Sequence, residues 1–429
     1  MSAPEPGGRR DSTSQREFDI VVYGATGFVG KLTAEYLART APEVRIALAG
    51  RSHDKLVAVR DSLGGKAASW PLITADASQP STLNAMAAQT RVVVTTVGPY
   101  ARYGLPLVAA CAAAGTDYAD LTGEPLFMRD SIDQYHEQAA GTGARIVHSC
   151  GFDCIPSDLT VFALHRRAQQ DGAGELTDTN LVLRGFKGGV SGGTAASLIE
   201  VMREAAGNPE ARRLMNDPYT LSQDRANEPE FGGQPDLRWR RGAEIAPELR
   251  GYWFGPFAMA AVNTRIVRRS NELLDHAYGR RFEYGEQMSM GKSALAPVAS
   301  ALSAAGNTAT MALGTRFFHR VPNKLVERVL PKPGTGPSER VRESGYYDVE
   351  TYATTTTGVR YRAVMSQKGD PGYKATSVLL GESALALALD RDQLSDLRGV
   401  LTPAAAMGDA LLTRLPAAGV TLTTERLQG

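Results

Sequence analysis

Phe18-Asp-Ile-Val-Val-Tyr-Gly24-Ala-Thr-Gly27-Phe-Val-Gly30 is the stretch on which the fold turns. Its first six residues form a short, mostly apolar, β-branched run, the pattern of a buried parallel strand. Glycines then fall at 24, 27 and 30, and a helical pattern continues from about Val29 to Thr40. A strand, a glycine turn and a helix start in that order make a dinucleotide-binding fingerprint. Gly24 permits the tight turn, Gly27 lets the backbone approach a pyrophosphate, and Gly30 lets helix and strand pack closely. Gly24, Ala25, Thr26, Gly27, Phe28, Val29 and Gly30 are therefore expected to cradle the pyrophosphate. Free N–H groups and the positive end of the helix dipole would face its charge.

The same alternation continues outward. Arg45–Ala49 reads as a second strand and His53–Leu63 as a helix. Strands are expected at Trp70–Ala75, Arg91–Val97, Thr116–Leu121 and Arg145–Ser149, with helices at Ser81–Gln89, Pro106–Ala114 and Ile132–Thr142 between them. Strands alternating with helices give an α/β domain, a Rossmann-type doubly wound parallel sheet, over residues 17–156. The pattern then changes. Tyr346–Thr355 and Val359–Ser366 alternate around Thr356-Thr357-Gly358, a hairpin signal. Residues 157–375 read as a second, α+β domain with an antiparallel sheet. Within it, residues 207–250 read as long polar connections. Residues 376–429 read as a helical segment packing back on the first domain. Met1–Arg16 holds Pro, Gly, Ser and charge without an apolar core, and reads as a disordered tail rather than a signal peptide.

The end of the second strand selects the cofactor. An NAD site places Asp or Glu there for the ribose 2′-hydroxyl. This chain has Arg51 and Ser52, with Lys55 one turn on. A guanidinium pairs with a 2′-phosphate and a hydroxyl donates to it, which favours NADPH over NADH. Asp76, after the third strand, is either beside the adenine or an ordinary solvated loop residue.

Composition excludes several classes. Forty-seven Lys/Arg against 46 Asp/Glu leave a net charge of +1, so no strong field draws the chain to nucleic acid. Three cysteines in 429 residues rule out a disulfide scaffold and fit a reducing, cytoplasmic compartment. Cys150 and Cys154 lack a second pair and a nearby His, so no metal is expected. No Gly-x-Ser-x-Gly appears, against an α/β-hydrolase. Ala294–Gly314 carries no charge, but eight of its 21 residues are Ala and Pro297 and Asn307 sit inside. It reads as a buried small-residue helix, not a membrane span.

At Val97-Gly98-Pro99-Tyr100 the sequence becomes more specific. The run from Val97 through Tyr103 to Glu124, and Cys150-Gly-Phe-Asp-Cys-Ile-Pro-Ser-Asp158, resemble the saccharopine dehydrogenase-like oxidoreductases. With Ile46–Ser52, Thr264–Ser270, Pro331–Pro337 and Gly399–Gly408, the likeness runs from about Phe18 to Leu427. It is closest to the mycobacterial trans-acting enoyl reductases. The resemblance implies reduction of a carrier-bound α,β-unsaturated thioester on a polyketide synthase, in making phthiocerol or phenolphthiocerol lipids. It also implies that Val97, Gly98 and Pro99 lie along the cofactor. A homodimer through the second domain is an expectation at the level of the family.

Enoyl reduction needs a hydride donor, stabilisation of an enolate oxygen and an acid for the α carbon. Tyr100 and Tyr103 are candidate acids, since tyrosine is a donor and neutral at pH 7. Either is otherwise a packing tyrosine. Asp153 is a candidate through water, or builds a turn. Asp158 precedes the helical run Leu159–Leu164 and reads as its N-cap. Ser191-Gly192-Gly193-Thr194 is a second glycine turn before a helix. It suits a phosphopantetheine phosphate or an enolate oxygen, or is a capped helix start.

Phe317–Lys332 is basic and amphipathic. With Arg238–Arg241 and Arg265–Arg269 it suits docking of an acidic acyl carrier protein or weak peripheral contact with a membrane surface. The plainer alternative is an amphipathic helix on the core. Two rival functions stand beside enoyl reduction. One is C–N oxidoreduction as in saccharopine metabolism. The other is a non-catalytic NADP-binding scaffold or sensor at lipid surfaces.

Overall fold

The computed structural model describes residues 16–189, 191–229, 231, 234, 236, 239–317 and 335–428. The first domain alternates as the sequence expects: β1 (Phe18–Tyr23), α1 (Phe28–Thr40), β2 (Ile46–Gly50), α2 (His53–Leu63), β3 (Leu72–Thr74), α3 (Pro80–Gln89), β4 (Thr90–Thr95), α4 (Tyr100–Ala114), β5 (Asp117–Ala119), α5 (Pro125–Thr142) and β6 (Arg145–Val147). α6 (Ile155–Gln170) leads into β7 (Leu176–Lys187). The second domain continues with α7 (Gly192–Gly207), α8 (Pro209–Asn216), β8 (Arg240–Arg241), α9 (Gly242–Ile245), β9 (Trp253–Pro256), α10 (Ala260–Leu273), β10 (Glu283–Gly291), α11 (Ala296–Phe317), α12 (Glu339–Glu343), β11 (Tyr346–Thr355) and β12 (Arg360–Lys368). α13 (Thr376–Leu389), β13 (Gly399–Leu401), α14 (Pro403–Ala417) and β14 (Val420–Arg426) complete the chain.

The first sheet has the order β13-β6-β5-β4-β1-β2-β3, parallel throughout. β1 is buried at all six positions, as its unbroken apolar run requires. Strand order reverses between β1 and β4, which opens a crevice at their carboxyl ends. The second sheet has the order β14-β12-β11-β7-β10-β9-β8. It is mixed rather than purely antiparallel, because β10 runs parallel to β7. α13 is buried from Thr376 to Ala388, as expected of a helix apolar on every side, and it packs on α1 and β4.

Several expectations need correction. The C-terminal segment is not only helical: β13 extends the first sheet and β14 edges the second. The stretch 207–250 is not bare connection, since α8, β8 and α9 form within it. Ala294–Gly314 does form a helix, but one face stays uncovered: Leu295, Val298 and Leu302 are exposed. Among the described residues no helix is long and apolar enough to cross a membrane. Arg16 is not loose tail, because its guanidinium donates to the Ala87 and Thr90 carbonyls.

Asp158 lies inside α6 and does not cap it. Its carboxylate accepts the Ala404 N–H at 2.7 Å and so caps α14, while Ser270 Oγ donates to its other oxygen. Arg265, Arg268 and Arg269 do not form a docking face. All three are at most 4% exposed. Arg265 pairs with Asp236 and donates to the Met215 carbonyl. Arg268 and Arg269 satisfy the carbonyls of Pro218, Tyr284, Leu221 and Val400. Such buried cations stitch loops, where unpaired charge would be costly. Arg238, and Phe317–Lys332 apart from the Phe317 backbone that ends α11, lie outside the described residues.

Candidate active site

A cleft of about 1400 Å³ opens at the carboxyl ends of β1 and β4 and continues along α7. Its first half is built from consecutive backbone. Gly24 has φ +88°, and a Cβ there would stand 2.7 Å from Val97 Cγ2. At Gly30 a Cβ would meet the Gly24 carbonyl oxygen at 2.2 Å, so helix and loop touch through this glycine. Gly27 is the α1 N-cap and has no side chain to bond the helix start. The N–H groups of Gly24 and Ala25 go to the Ala49 carbonyl, and that of Gly27 to Gly24. The donors offered to an anion are therefore those of Thr26, Phe28 and Val29, whose residues line the cleft. Ala25 and Gly30 are buried behind them.

Arg51 and Lys55 are exposed on the cleft wall, with Asp76 beside them. The Ser78 N–H and hydroxyl both donate to the Asp76 carboxylate and hold its pKa below the ordinary range, with Arg51 adding to the effect. Burial, reinforced by Asp76, pushes the neighbouring Tyr23 phenol up to about 12. Ser52 is the N-cap of α2 and lies outside the lining. Val97 and Gly98 line the cleft. Pro99 sits behind as the N-cap of α4, its carbonyl accepting from Arg102 and Tyr103.

Tyr100 and Tyr103 both border the cleft but differ in kind. Tyr103 is 42% exposed. Tyr100 is buried, and its hydroxyl is committed on both sides. It donates to the Thr95 carbonyl and accepts the Leu121 N–H, each at 3.2 Å. Burial raises its pKa well above the ordinary value, and the Asp120 carboxylate adds to this. That geometry gives Tyr100 a structural task, tying β4 to the loop after β5.

The floor comes from the loops after β5 and β6: Thr122, Gly123, Ser149, Gly151, Asp153 and Cys154. Asp120 organises them from below. Its Oδ1 accepts the Thr122 and Ser149 N–H groups at 3.0 and 2.9 Å, while Oδ2 meets His148 Nδ1 at 2.7 Å and the Tyr118 hydroxyl at 2.8 Å. His148 Nε2 lies 2.9 Å from Ser131 Oγ. This network holds Ser149 at φ +66°, a backbone state that L-residues rarely adopt. Thr376 Oγ1 fixes the same floor by accepting the Phe152 N–H.

The second half of the cleft is built from helices. Ser191, Gly192 and Gly193 open α7 into it, and the Ser191 carbonyl accepts the Ala195 N–H. The Thr194 side chain lies outside the described residues. Beyond the turn the wall is apolar, with Leu198, Val201 and Met202 of α7 facing Met215 of α8 and Met259 and Val262 of the α10 start. Glu124 clamps this wall to the first domain. Its carboxylate accepts the Tyr100 and Ala101 N–H groups and the Ser197 hydroxyl of α7. Burial nonetheless keeps its pKa above the ordinary range.

Known proteins bear on this geometry. Residues 20–147 match the saccharopine dehydrogenase NADP-binding domain. A trans-acting enoyl reductase of Mycobacterium bovis is 63% identical over 417 residues, 97% of this chain and 100% of its own. The chain belongs to the trans-acting enoyl reductase family. A provisionally named trans-acting enoyl reductase of Mycobacterium tuberculosis is 68% identical over 416 residues, 97% of this chain and 99% of its own. Among solved structures, saccharopine dehydrogenase (L-Glu forming) from Saccharomyces cerevisiae shares the fold at a TM-score of 0.53 and 12% identity, covering 95% of this chain and 99% of that one.

In this family member the cleft brings together most residues nominated from sequence: the phosphate loop, Arg51, Lys55, Asp76, Val97, Gly98, Tyr100, Tyr103, Asp153, Ser191, Gly192 and Gly193. Glu124, His148, Asp120 and the α7–α8 wall had no assigned role. Glu124 closes the run that carries the family likeness, a position that hinted at a task without saying which.

Proposed function

We propose that this chain uses NADPH to reduce an α,β-unsaturated acyl thioester presented by a polyketide synthase or an acyl carrier protein, in phthiocerol- or phenolphthiocerol-type lipid synthesis. One observation carries the reading: a single cleft joins the NADP-binding crevice to an apolar channel along α7. Such a channel suits an acyl chain. It does not suit a substrate with three carboxylates, which needs converging cations. Among the described lining residues the Arg and Lys side chains are Arg51, Lys55 and Arg212 alone, and the first two border the cofactor crevice. Three free, buried cysteines suit a reducing cytoplasm.

When bound, NADPH supplies the hydride for the β carbon. Thr26, Phe28 and Val29 would hold its pyrophosphate through backbone N–H groups, and Arg51 with Lys55 would pair with a 2′-phosphate. The chain's remaining tasks are to polarise the thioester carbonyl and protonate the α carbon. We assign the first to the N–H groups at the start of α7, where the helix dipole favours developing negative charge. The second falls to Tyr103, whose side chain lines the cleft and carries a hydroxyl donor. Asp153, acting through water, is the alternative donor. Val201, Met202 and Met259 give the reacting carbons an apolar wall.

The test is steady-state NADPH consumption with a trans-2-enoyl thioester, run beside NADH. NADPH-selective consumption with a saturated product is expected. Binding without consumption, even with carrier-linked substrate, would move the chain to the scaffold reading.

A further inference from the structure

At the end of the channel remote from Arg51 and Lys55, the described lining holds one cation, Arg212 of α8. Its Nη1 donates to the Ala205 and Ala206 carbonyls at 2.7 and 3.2 Å, which fixes the guanidinium against the last turn of α7. Among the described residues, Nε and Nη2 have no protein partner, and both remain accessible. Arg212 is half-buried, and Asn216 lies one turn along α8 on the same wall. The nearby carboxylates are otherwise occupied. Glu200 pairs with Arg102 and Arg203, and burial beside Asp130 pushes the Glu204 carboxyl up. Neither lines the cleft.

The spacing along α7 gives this cation a meaning. From Gly193, at the proposed reaction centre, to Ala205, under the Arg212 guanidinium, the helix rises about 18 Å at 1.5 Å per residue. A phosphopantetheine arm has about thirteen bonds between phosphorus and sulfur, so its extended length is about 15–17 Å. We propose that Arg212 binds the phosphate of a phosphopantetheine arm laid along α7, which sets the thioester at the Ser191–Gly193 turn. The wall between is apolar, as the arm's methylenes and gem-dimethyl group require. This rests on the reductase reading. It moves the phosphate from the glycine turn, one of the two ligands the sequence suggested there, and leaves that turn to the thioester oxygen.

The test compares kcat/KM for trans-2-enoyl thioesters of pantetheine and of phosphopantetheine, in the wild type and in Arg212→Gln. Glutamine keeps an N–H donor for the α7 carbonyls and removes the charge. A charge-assisted hydrogen bond is expected to favour the phosphate-bearing substrate by about tenfold or more in the wild type. The variant should bring that ratio close to one. A merely structural loss would lower both values and preserve the ratio, which would overturn the proposal, as would a wild type indifferent to the phosphate. Carrier-linked and coenzyme A thioesters share this phosphate, so both should lose turnover in Arg212→Gln. Loss with the coenzyme A thioester alone would mean that Arg212 reads the nucleotide, and would overturn the assignment. Calorimetric binding of phosphopantetheine against pantetheine gives a readout independent of turnover. If no thioester is reduced, the reductase reading fails while this comparison still decides the phosphate site.

Discussion

The two halves of the cleft are made in different ways. The cofactor half is local: residues 24–30, 51–55 and 97–98 stand at the ends of adjacent strands, and its phosphate loop offers mainly backbone groups. The substrate half is assembled from side chains of α7, α8, α10 and α11, brought together only by the fold. The first half has little tolerance for any change in its glycines, while the second divides its work among many replaceable contacts. Mutations should therefore fail steeply in one half and gradually in the other.

The largest expected effect on cofactor affinity is at Gly30. Gly30→Ala drives a methyl against the Gly24 carbonyl and Thr96 Oγ1. Overpacking of this kind costs about 1–3 kcal/mol or more, and NADPH affinity should fall at least a hundredfold by fluorescence titration. A single apolar truncation in the other half, Met202→Ala, should leave NADPH affinity within about threefold and raise KM for long acyl chains. Comparable losses of NADPH affinity from both would erase the contrast.

Tyr103 and Tyr100 sharpen the comparison within one helix. Tyr103→Phe should lower kcat by about 10²–10⁴ while sparing thermal stability, as for loss of a general acid. Tyr100→Phe leaves the Leu121 N–H without its acceptor, and should cost about 1–3 kcal/mol in urea unfolding. The opposite pattern would exchange their roles. At Arg51, Arg51→Ala should cut the preference for NADPH over NADH by about tenfold, leaving NADH turnover in place.

The smallest effect is on pH dependence, and it comes from two buried carboxyls behind the cleft. Burial pushes the carboxyls of Asp158 and Glu286 up to about 7, against Ser270 and Ala404 at one and Tyr284 and Asn263 at the other. The folded chain then holds protons that the unfolded chain releases above its ordinary carboxyl pKa of 3.8 to 4.5. Stability should fall as pH rises from about 4 to about 7 and change little from these groups beyond it. Asp158→Asn should flatten that slope in urea titrations at several pH values. An unchanged slope would remove Asp158 as its source.

The same contrast explains what could be read in the sequence. The Rossmann-type sheet, the turn at Gly24–Gly30 and the Arg51 position follow from short-range patterns, so most strand and helix bounds lie close to expectation, while α4 and α5 begin at Tyr100 and Pro125 rather than at Pro106 and Ile132. The motif marks Tyr100 as a candidate for chemistry but cannot show a hydroxyl held by Thr95 and Leu121. Arg265, Arg268 and Arg269 looked like a surface cluster, since sequence does not reveal the carbonyls that turn inward to meet them. Asp158 read as the cap of its own helix, while its partner, Ala404, lies 246 residues away. Arg212 and the wall of α7 carried no signal, because a channel exists only once separate helices have packed.

The measurement that reaches the central claim most directly uses NADPH deuterated at the transferable nicotinamide position, incubated with a trans-2-enoyl phosphopantetheine thioester. If the cleft joins cofactor and acyl chain as described, mass spectrometry will find one deuterium at the β carbon of a saturated product. Recovery of unreduced thioester from protein saturated with NADPH, or of product labelled elsewhere, would contradict it.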